Sequence, residues 1–151
     1  MRVDNKFKME IYSLPENVAF ARVVVASFAS QLEFTLSDLE ELKVAVSETV
    51  ANSIMHGYNG LPDKLILIQC TLHRDRIEII IEDEGKGIDD VSKAMQPSHS
   101  TDPERMGLGL VFVKSFTDSL KITSAPGKGT KVMMSKKAST VAGEQVAATE
   151  H

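Results

Sequence analysis

Two side chains that suit nucleotide chemistry, Glu48 and Asn52, are spaced one helical turn apart in the sequence. Residues four apart lie on the same face of an α-helix, so both would project from one face together with His56. A carboxamide oxygen is a hard ligand that suits Mg²⁺, and a carboxylate can orient or deprotonate an attacking hydroxyl. A solvated polar helix face has the same spacing, so these residues alone leave both interpretations open.

A third candidate is Asp83, which closes an alternating apolar segment. Residues 77–83 read Ile-Glu-Ile-Ile-Ile-Glu-Asp, so a strand would place Asp83 on the face of the alternate isoleucines. A carboxylate aimed at a covered face needs hydrogen-bond donors, and the amino group of adenine is one. Gly85 and Gly87 follow, where a missing Cβ lets the backbone approach a ligand closely. The alternative is a turn that Asp83 caps.

A second glycine pair, Gly107 and Gly109 on either side of Leu108, opens an amphipathic segment that extends to Leu120. Backbone N–H groups at a helix start, together with the positive end of its dipole, can cradle phosphates. A G-x-G pattern by itself also describes a flexible turn. The three patterns occur in an order that lets a helix, a strand end and a glycine-led helix form one pocket, and this convergence is the main prediction.

Periodicity and turn residues predict the elements around these motifs. Capping boxes at Ser13/Glu16 and Ser37/Glu40 predict two helix starts, and Gly57 is the expected C-cap of the second helix. Alternation and turn signals predict strands at 6–12, 65–72, 77–83, 120–125 and 130–135, a short helix and loop over 88–106, and a helix over 107–120. The predicted fold class is α+β, a two-layer sandwich of a mostly antiparallel sheet covered on one face by helices.

Composition limits the function classes. A chain of 151 residues with 42% hydrophobic and 25% charged residues suits one compact domain, predicted over 1–137, with a disordered tail over 138–151. The net charge of −4 offers no broad basic field, so direct nucleic-acid binding is not expected. The single cysteine, Cys70, argues against disulfides and zinc. No apolar stretch approaches the roughly 20 residues that span a membrane, so we expect a cytoplasmic protein.

Taken together, the motifs resemble the N, G1 and G2 boxes of the GHKL ATPase superfamily, which includes gyrase B, Hsp90, histidine kinases and MutL. Within it, residues 42–58 are similar to the serine-kinase anti-sigma factors. Residues 16–22 and the closing Lys128-Gly129-Thr130 bring the chain nearest to the sporulation anti-sigma-F factors. The likeness covers residues 7–136.

This resemblance implies a Bergerat-type ATP-binding fold and a serine/threonine protein kinase. The protein would sequester a sporulation sigma factor and transfer the γ-phosphate of ATP to a serine of its anti-anti-sigma antagonist. Asp83 would bind the adenine amino group, Asn52 would hold Mg²⁺, and Glu48 would act as general base toward the serine. Thr130 would lie near the adenine, with the backbone glycines around the nucleotide.

The resemblance also implies a lid over residues 97–106, with Thr101 and Arg105 as nucleotide or partner contacts. The lid is shorter than in close relatives and carries Asp102 where a basic residue is common. Arg22 would face the sigma factor or the antagonist, and a homodimer is implied. Two other functions remain open: a non-catalytic, ATP-dependent binding module, and the detached ATP-binding domain of a histidine kinase.

Overall fold

A five-stranded antiparallel sheet, covered on one face by helices, forms the protein in the computed structural model, which describes residues 3–94 and 103–138. The strand order is β1-β2-β3-β5-β4, and the predicted α+β sandwich is confirmed. No helix of these residues is long and apolar enough to cross a membrane. In chain order the elements are β1 (Val3–Tyr12), α1 (Glu16–Ala29), α2 (Leu36–Asn52) with a π-helical turn (Ser53–Gly57), β2 (Leu65–His73), β3 (Arg76–Asp83), α3 (Val91–Ala94), α4 (Pro103–Ser115), β4 (Ser119–Ser124) and β5 (Thr130–Lys137).

The central hairpin of β2 and β3 provides the floor of the core. Every second residue of each strand is buried, because alternate side chains of a strand point to opposite faces. Asp83 continues the buried row of Ile77, Ile79 and Ile81, as the alternation predicts. The helices α1 and α2 cover this row with their apolar stripes, which include Val25 and Val46. The sheet therefore carries a carboxylate into the space beneath the helices.

Both predicted capping boxes are wrong. The N-cap of α1 is Pro15, with no side-chain cap bond, and Ser13 Oγ instead donates to the Leu61 carbonyl at 2.6 Å. At α2 the capping box is Thr35 with Asp38, two residues before the predicted pair. Overlapping S/T-x-x-D/E matches occur there, and the start that lets α2 pack on the sheet determines which one is used.

The end of the second helix also differs from the prediction. A π-helical turn follows Asn52, closed by a bond from Tyr58 N to Ser53 O at 2.9 Å. Gly57 is not a left-handed C-cap, because its φ is not positive, and the positive φ values after this helix belong to Asn59 and Gly60. The wider turn adds a residue before the chain leaves the helix, and such turns are common at functional sites.

The last helix begins earlier than the glycine pattern predicts. The helix α4 extends over Pro103–Ser115, so Gly107 and Gly109 lie within it rather than at its start, and it ends before Leu120. Proline at the first helical position is favourable because its missing N–H has no helical partner there. Of the predicted loop and lid, residues 95–102 lie outside the described residues. The predicted tail does too, except for Ala138, whose N–H donates to Asp75 O at 2.9 Å.

Candidate functional site

A cavity lies between the end of α2, the π-helical turn and the ends of β3 and β5. One wall is apolar and consists of Ile88, Leu110, Ile122 and Val132. The polar part of the lining consists of Thr49, Asn52, Ser53, His56, Asp83 and Thr130. An apolar slot with a few convergent polar groups suits a flat aromatic ring with polar edges.

Asp83 is the most buried acid of this cavity, with 4% of its surface exposed. Its Oδ2 accepts a hydrogen bond from Ser53 Oγ at 2.8 Å, and its Oδ1 accepts one from Gly85 N at 2.9 Å. Burial raises the pKa of Asp83 above its ordinary value, and the bonds from Gly85 and Ser53 oppose that rise. A further donor from a ligand would offset the remaining cost of burial.

Close backbone packing fixes the position of Asp83. A Cβ at Gly57 would lie 3.0 Å from Asp83 Oδ1, and a Cβ at Gly85 would overlap the Gly57 carbonyl. Behind them, Tyr58 Oη donates to Leu65 O at 2.6 Å and accepts the Glu84 N–H at 2.7 Å. The π-helical turn and the loop after β3 are therefore locked together. The sequence predicts a ligand contact at Gly85, whereas in the structure the missing Cβ of this glycine makes room for the Gly57 backbone.

The β4–β5 hairpin packs against the same loop through two other glycines. A Cβ at Gly87, whose φ is +79°, would overlap the Ala125 carbonyl. A Cβ at Gly129, whose φ is +78°, would overlap the Asp83 carbonyl. Gly127 N donates to Lys86 O at 2.6 Å. The hairpin thus brings Thr130 beside Asp83, its partner in the β3–β5 ladder.

We predict that Gly129→Ala destabilises the protein more than Gly127→Ala. Both glycines have positive φ, so each substitution should cost about 1 kcal/mol of backbone strain. Only Gly129 faces a backbone carbonyl, and a Cβ at Gly127 meets nothing within 4 Å. Overpacking should add about 2 kcal/mol at Gly129. Urea unfolding of both variants measures this difference, and equal losses would contradict the close approach.

Glu48 and Asn52 come together against α4, and of the two only Asn52 lines the cavity. A Cβ at Gly109 would lie 2.7 Å from Glu48 Oε1 and 3.7 Å from Asn52 Nδ2. Asn52 Nδ2 is buried and finds no hydrogen-bond partner among the described residues. An unpartnered buried amide indicates a missing ligand or water. The missing side chain at Gly109 therefore leaves the carboxylate and the carboxamide exposed to one small space.

Comparison with known proteins identifies the family. A model of the histidine kinase-like ATPase domain matches residues 11–136. The anti-sigma F factor of Oceanobacillus iheyensis is 47% identical over 137 residues, which cover 89% of this chain and 94% of the relative. That of Clostridium novyi is 44% identical over 139 residues, covering 91% and 97%. The chain belongs to the anti-sigma F factor family.

Solved structures confirm the fold of this anti-sigma F factor family member. A structure containing RsbU and RsbW domains from Mycobacterium tuberculosis gives a TM-score of 0.63 at 16% identity, covering 88% of this chain and 32% of that one. A blue-light activated histidine kinase of Erythrobacter litoralis gives 0.54 at 19% identity, covering 71% and 32%. At these identities the likeness concerns the fold alone.

The structure brings four of the predicted site residues together, because Asn52, Asp83, Gly87 and Thr130 line one cavity. Glu48 does not line this cavity, but its Oε1 lies beside Gly109, close to Asn52. The end of the helix and the end of the strand therefore face one space, and the nucleotide contacts of these residues stay predictions. His56 also lines this cavity, although the π-helical turn breaks the regular four-residue spacing.

Other predicted site residues lie elsewhere or outside the described part. Arg22 donates from Nη1 to Ser47 Oγ at 3.3 Å, on the outer face of the α1–α2 pair. Thr101 lies outside the described residues. Arg105, Gly107 and Leu108 belong to α4, for which only the backbone is described at these positions. Their nucleotide contacts therefore stay predictions.

Three residues that contact or support the site gave no sequence signal of their own. Ser53 donates to Asp83, Tyr58 ties the π-helical turn to β2 and to Glu84, and Ser124 connects the hairpin to the loop after β3. Serine and tyrosine are ordinary at such positions, and each acts through contacts distant in sequence.

Proposed function

We propose that this anti-sigma F factor family member binds ATP with Mg²⁺, sequesters a sigma factor and phosphorylates a serine of an anti-anti-sigma protein. The observation that carries the proposal is that Asn52 and Asp83 line one cavity, with the Glu48 carboxylate beside Asn52 at Gly109. Similarity to anti-sigma F factors supports the sigma-binding part.

The adenine ring would lie between the apolar wall and Asp83. Ile88, Leu110 and Val132 offer flat apolar contact, and Asp83 offers an acceptor at the closed end. The exocyclic amino group of adenine would add a further donor to this buried carboxylate, beside those from Ser53 and Gly85. The triphosphate would then extend toward Glu48 and Asn52, along the side of α4 where Gly109 has no side chain.

The residues at that end fit a hydrated Mg²⁺ ion. The Asn52 carboxamide, whose buried Nδ2 has no hydrogen-bond partner among the described residues, would turn its oxygen toward the cation. In nucleotide sites Mg²⁺ uses one or two protein oxygens with phosphate oxygens and water. The described residues contain no cluster of three or more His, Cys, Asp and Glu side chains that would hold a metal alone. When bound, the ion would neutralise charge on the β- and γ-phosphates.

Glu48 would align the incoming serine hydroxyl and accept its proton. The bond from the γ-phosphorus to the bridging oxygen breaks, a bond from that phosphorus to the serine oxygen forms, and ADP leaves. Positioning contributes most to such a transfer, because the protein has little covalent chemistry to perform. Glu48 lies on α2 one turn before Asn52, with its Oε1 beside Gly109 of α4.

The outer face of α1 is a suitable partner surface. Phe20 and Val23 lie about one turn apart on this helix and are 51% and 59% exposed. Arg22 belongs to the same helix and donates to Ser47 Oγ of α2. Exposed apolar residues with a basic side chain nearby are typical of protein interfaces. We assign this face to the sigma factor or the antagonist. The proposal also includes a homodimer and a cytoplasmic location.

Incubation with γ-labelled ATP, Mg²⁺ and a purified anti-anti-sigma protein tests the function. We expect label on a serine of the partner, since a phosphoserine ester survives acid whereas phosphohistidine does not. Label on a histidine would instead support a histidine-kinase domain. ATP-dependent partner binding without transfer would support the non-catalytic binding module.

A further inference from the structure

The hydroxyl groups that line the cavity donate their hydrogen bonds to other protein atoms. Among the described residues, Thr49, Ser53 and Thr130 line the cavity with hydroxyls. Thr49 Oγ1 donates to the Ala45 carbonyl at 2.8 Å, and Ser53 Oγ donates to Asp83 Oδ2 at 2.8 Å. Because a hydroxyl has one proton, these two oxygens can act toward a ligand only as acceptors.

Thr130 donates its hydroxyl proton to Ser124, a residue that does not line the cavity. Ser124 Oγ donates to the Gly129 carbonyl at 2.9 Å, and it lies 2.9 Å from Thr130 Oγ1. Since its own proton goes to the carbonyl, Thr130 must be the donor in the second contact. The other lone pair of Ser124 accepts the Ile88 N–H at 2.8 Å. One donated and two accepted bonds use the full capacity of this hydroxyl.

The position of Ser124 explains why it can act on Asp83's neighbour without touching a ligand. Ser124 and Thr130 are direct partners in the β4–β5 ladder, and Thr130 and Asp83 are direct partners in the β3–β5 ladder. The three residues form one row across the strand ends. Thr130 stands in the middle, with Ser124 behind it and the carboxylate in front.

We propose that Ser124 sets the base preference of the cavity. By accepting the Thr130 proton, it leaves Thr130 Oγ1 as an acceptor beside Asp83, so this end favours a ring with an exocyclic amino group over one with a carbonyl there. The inference rests on the proposed ATP binding and names the residue that fixes the choice of base. Ser124 is a positioning residue, because it acts through Thr130.

Inosine triphosphate is the matched probe, since it carries a carbonyl where ATP carries the amino group. A site built from fixed acceptors rejects that carbonyl, because its buried polar groups would be left unpaired. We expect wild type to prefer ATP. In Ser124→Ala the ratio of ATP affinity to inosine triphosphate affinity should fall by about tenfold. The Thr130 hydroxyl, no longer bonded to Ser124, can then donate to the carbonyl of the ligand. Ser124→Thr keeps the hydroxyl and should keep the ratio. Calorimetric titration measures both affinities.

Ser119→Ala is the control within the same pair of strands. Ser119 Oγ and Ser135 Oγ form an equivalent cross-strand contact of 2.6 Å, at the far end of the β4–β5 ladder. Its loss should leave the ratio unchanged. In a Thr130→Val background, Ser124→Ala should have no further effect on the ratio, since the two substitutions remove one interaction. An equal effect in that background, or an unchanged ratio for Ser124→Ala alone, would overturn the proposal.

The possible outcomes distinguish the role of Ser124 from the proposed ATP binding on which it rests. A wild type that binds neither nucleotide would overturn both. A wild type that prefers ATP, together with a Ser124→Ala variant of the same preference, would overturn the role of Ser124 alone. If Ser124→Ala does not fold, the single variant Thr130→Val carries the test, because it should narrow the ratio to a similar extent.

Discussion

Glu48→Gln should lower serine phosphorylation by about 10²- to 10⁴-fold, the usual contribution of a positioned general base. Glutamine has the same shape, so it should still fit against Gly109 and beside Asn52. It cannot take the serine proton, and it orients the hydroxyl without a negative charge. ATP affinity should stay within about twofold, because the adenine end of the cavity is unchanged. Single-turnover transfer from labelled ATP measures the rate, and calorimetry measures the affinity.

Glu40→Gln is the control for this variant. Glu40 lies on the same helix, two turns earlier, and its Oε2 is 2.9 Å from Lys43 Nζ at the surface. Its neutralisation should change neither transfer nor ATP binding, because exposed pairs contribute little. Undiminished transfer by Glu48→Gln would remove Glu48 from the catalytic role. A large loss of ATP affinity would instead make Glu48 a binding residue.

The convergence of the site could be predicted because it depends on side-chain periodicity. Four-residue spacing in a long helix places Glu48 and Asn52 together, and two-residue alternation in β3 places Asp83 under the helices. Both periods are local properties of the sequence. The order of the elements then leaves few ways to arrange them around one sheet.

The ends of the helices could not be predicted in the same way. Thr35 and Ser37 both begin a match to the capping pattern, and packing of α2 on the sheet determines the choice. The π-helical turn after Asn52 depends on Tyr58, which bonds to Leu65 and Glu84 far along the chain. Local patterns do not contain such long-range contacts.

The glycines of α4 show the same limit. Glycine lowers helix propensity by about 1 kcal/mol relative to alanine, so Gly107 and Gly109 suggested a helix start. Tertiary contact overrides that preference here, because Gly109 is where Glu48 approaches α4. Gly109 therefore makes space for the Glu48 carboxylate. Helix propensity does not include this kind of tertiary contact.

Asp83→Asn should weaken ATP binding by about 100-fold. A hydrogen bond to a charged group contributes about 1.5–3 kcal/mol, and asparagine can also present its amide N–H groups to the adenine amino group. Titration calorimetry measures the affinity. Glu82→Gln is the control, because Glu82 precedes Asp83 on β3 but belongs to the opposite, less buried face of the sheet. Its affinity should equal that of wild type, and an unchanged affinity for Asp83→Asn would refute adenine recognition by this carboxylate.

The stability of the same variant should change in the opposite direction. Burial raises the pKa of Asp83, so its ionised form is disfavoured in the folded protein, and this penalty is present above the folded pKa and disappears as pH falls through it. Asparagine has no charge to bury, so nucleotide-free Asp83→Asn should unfold at the same temperature as wild type or higher at pH 7. The stability advantage of the variant should shrink as pH is lowered. If both the melting temperature and the ATP affinity of Asp83→Asn fall, the main role of Asp83 is to stabilise the folded protein and not to accept a hydrogen bond from the ligand.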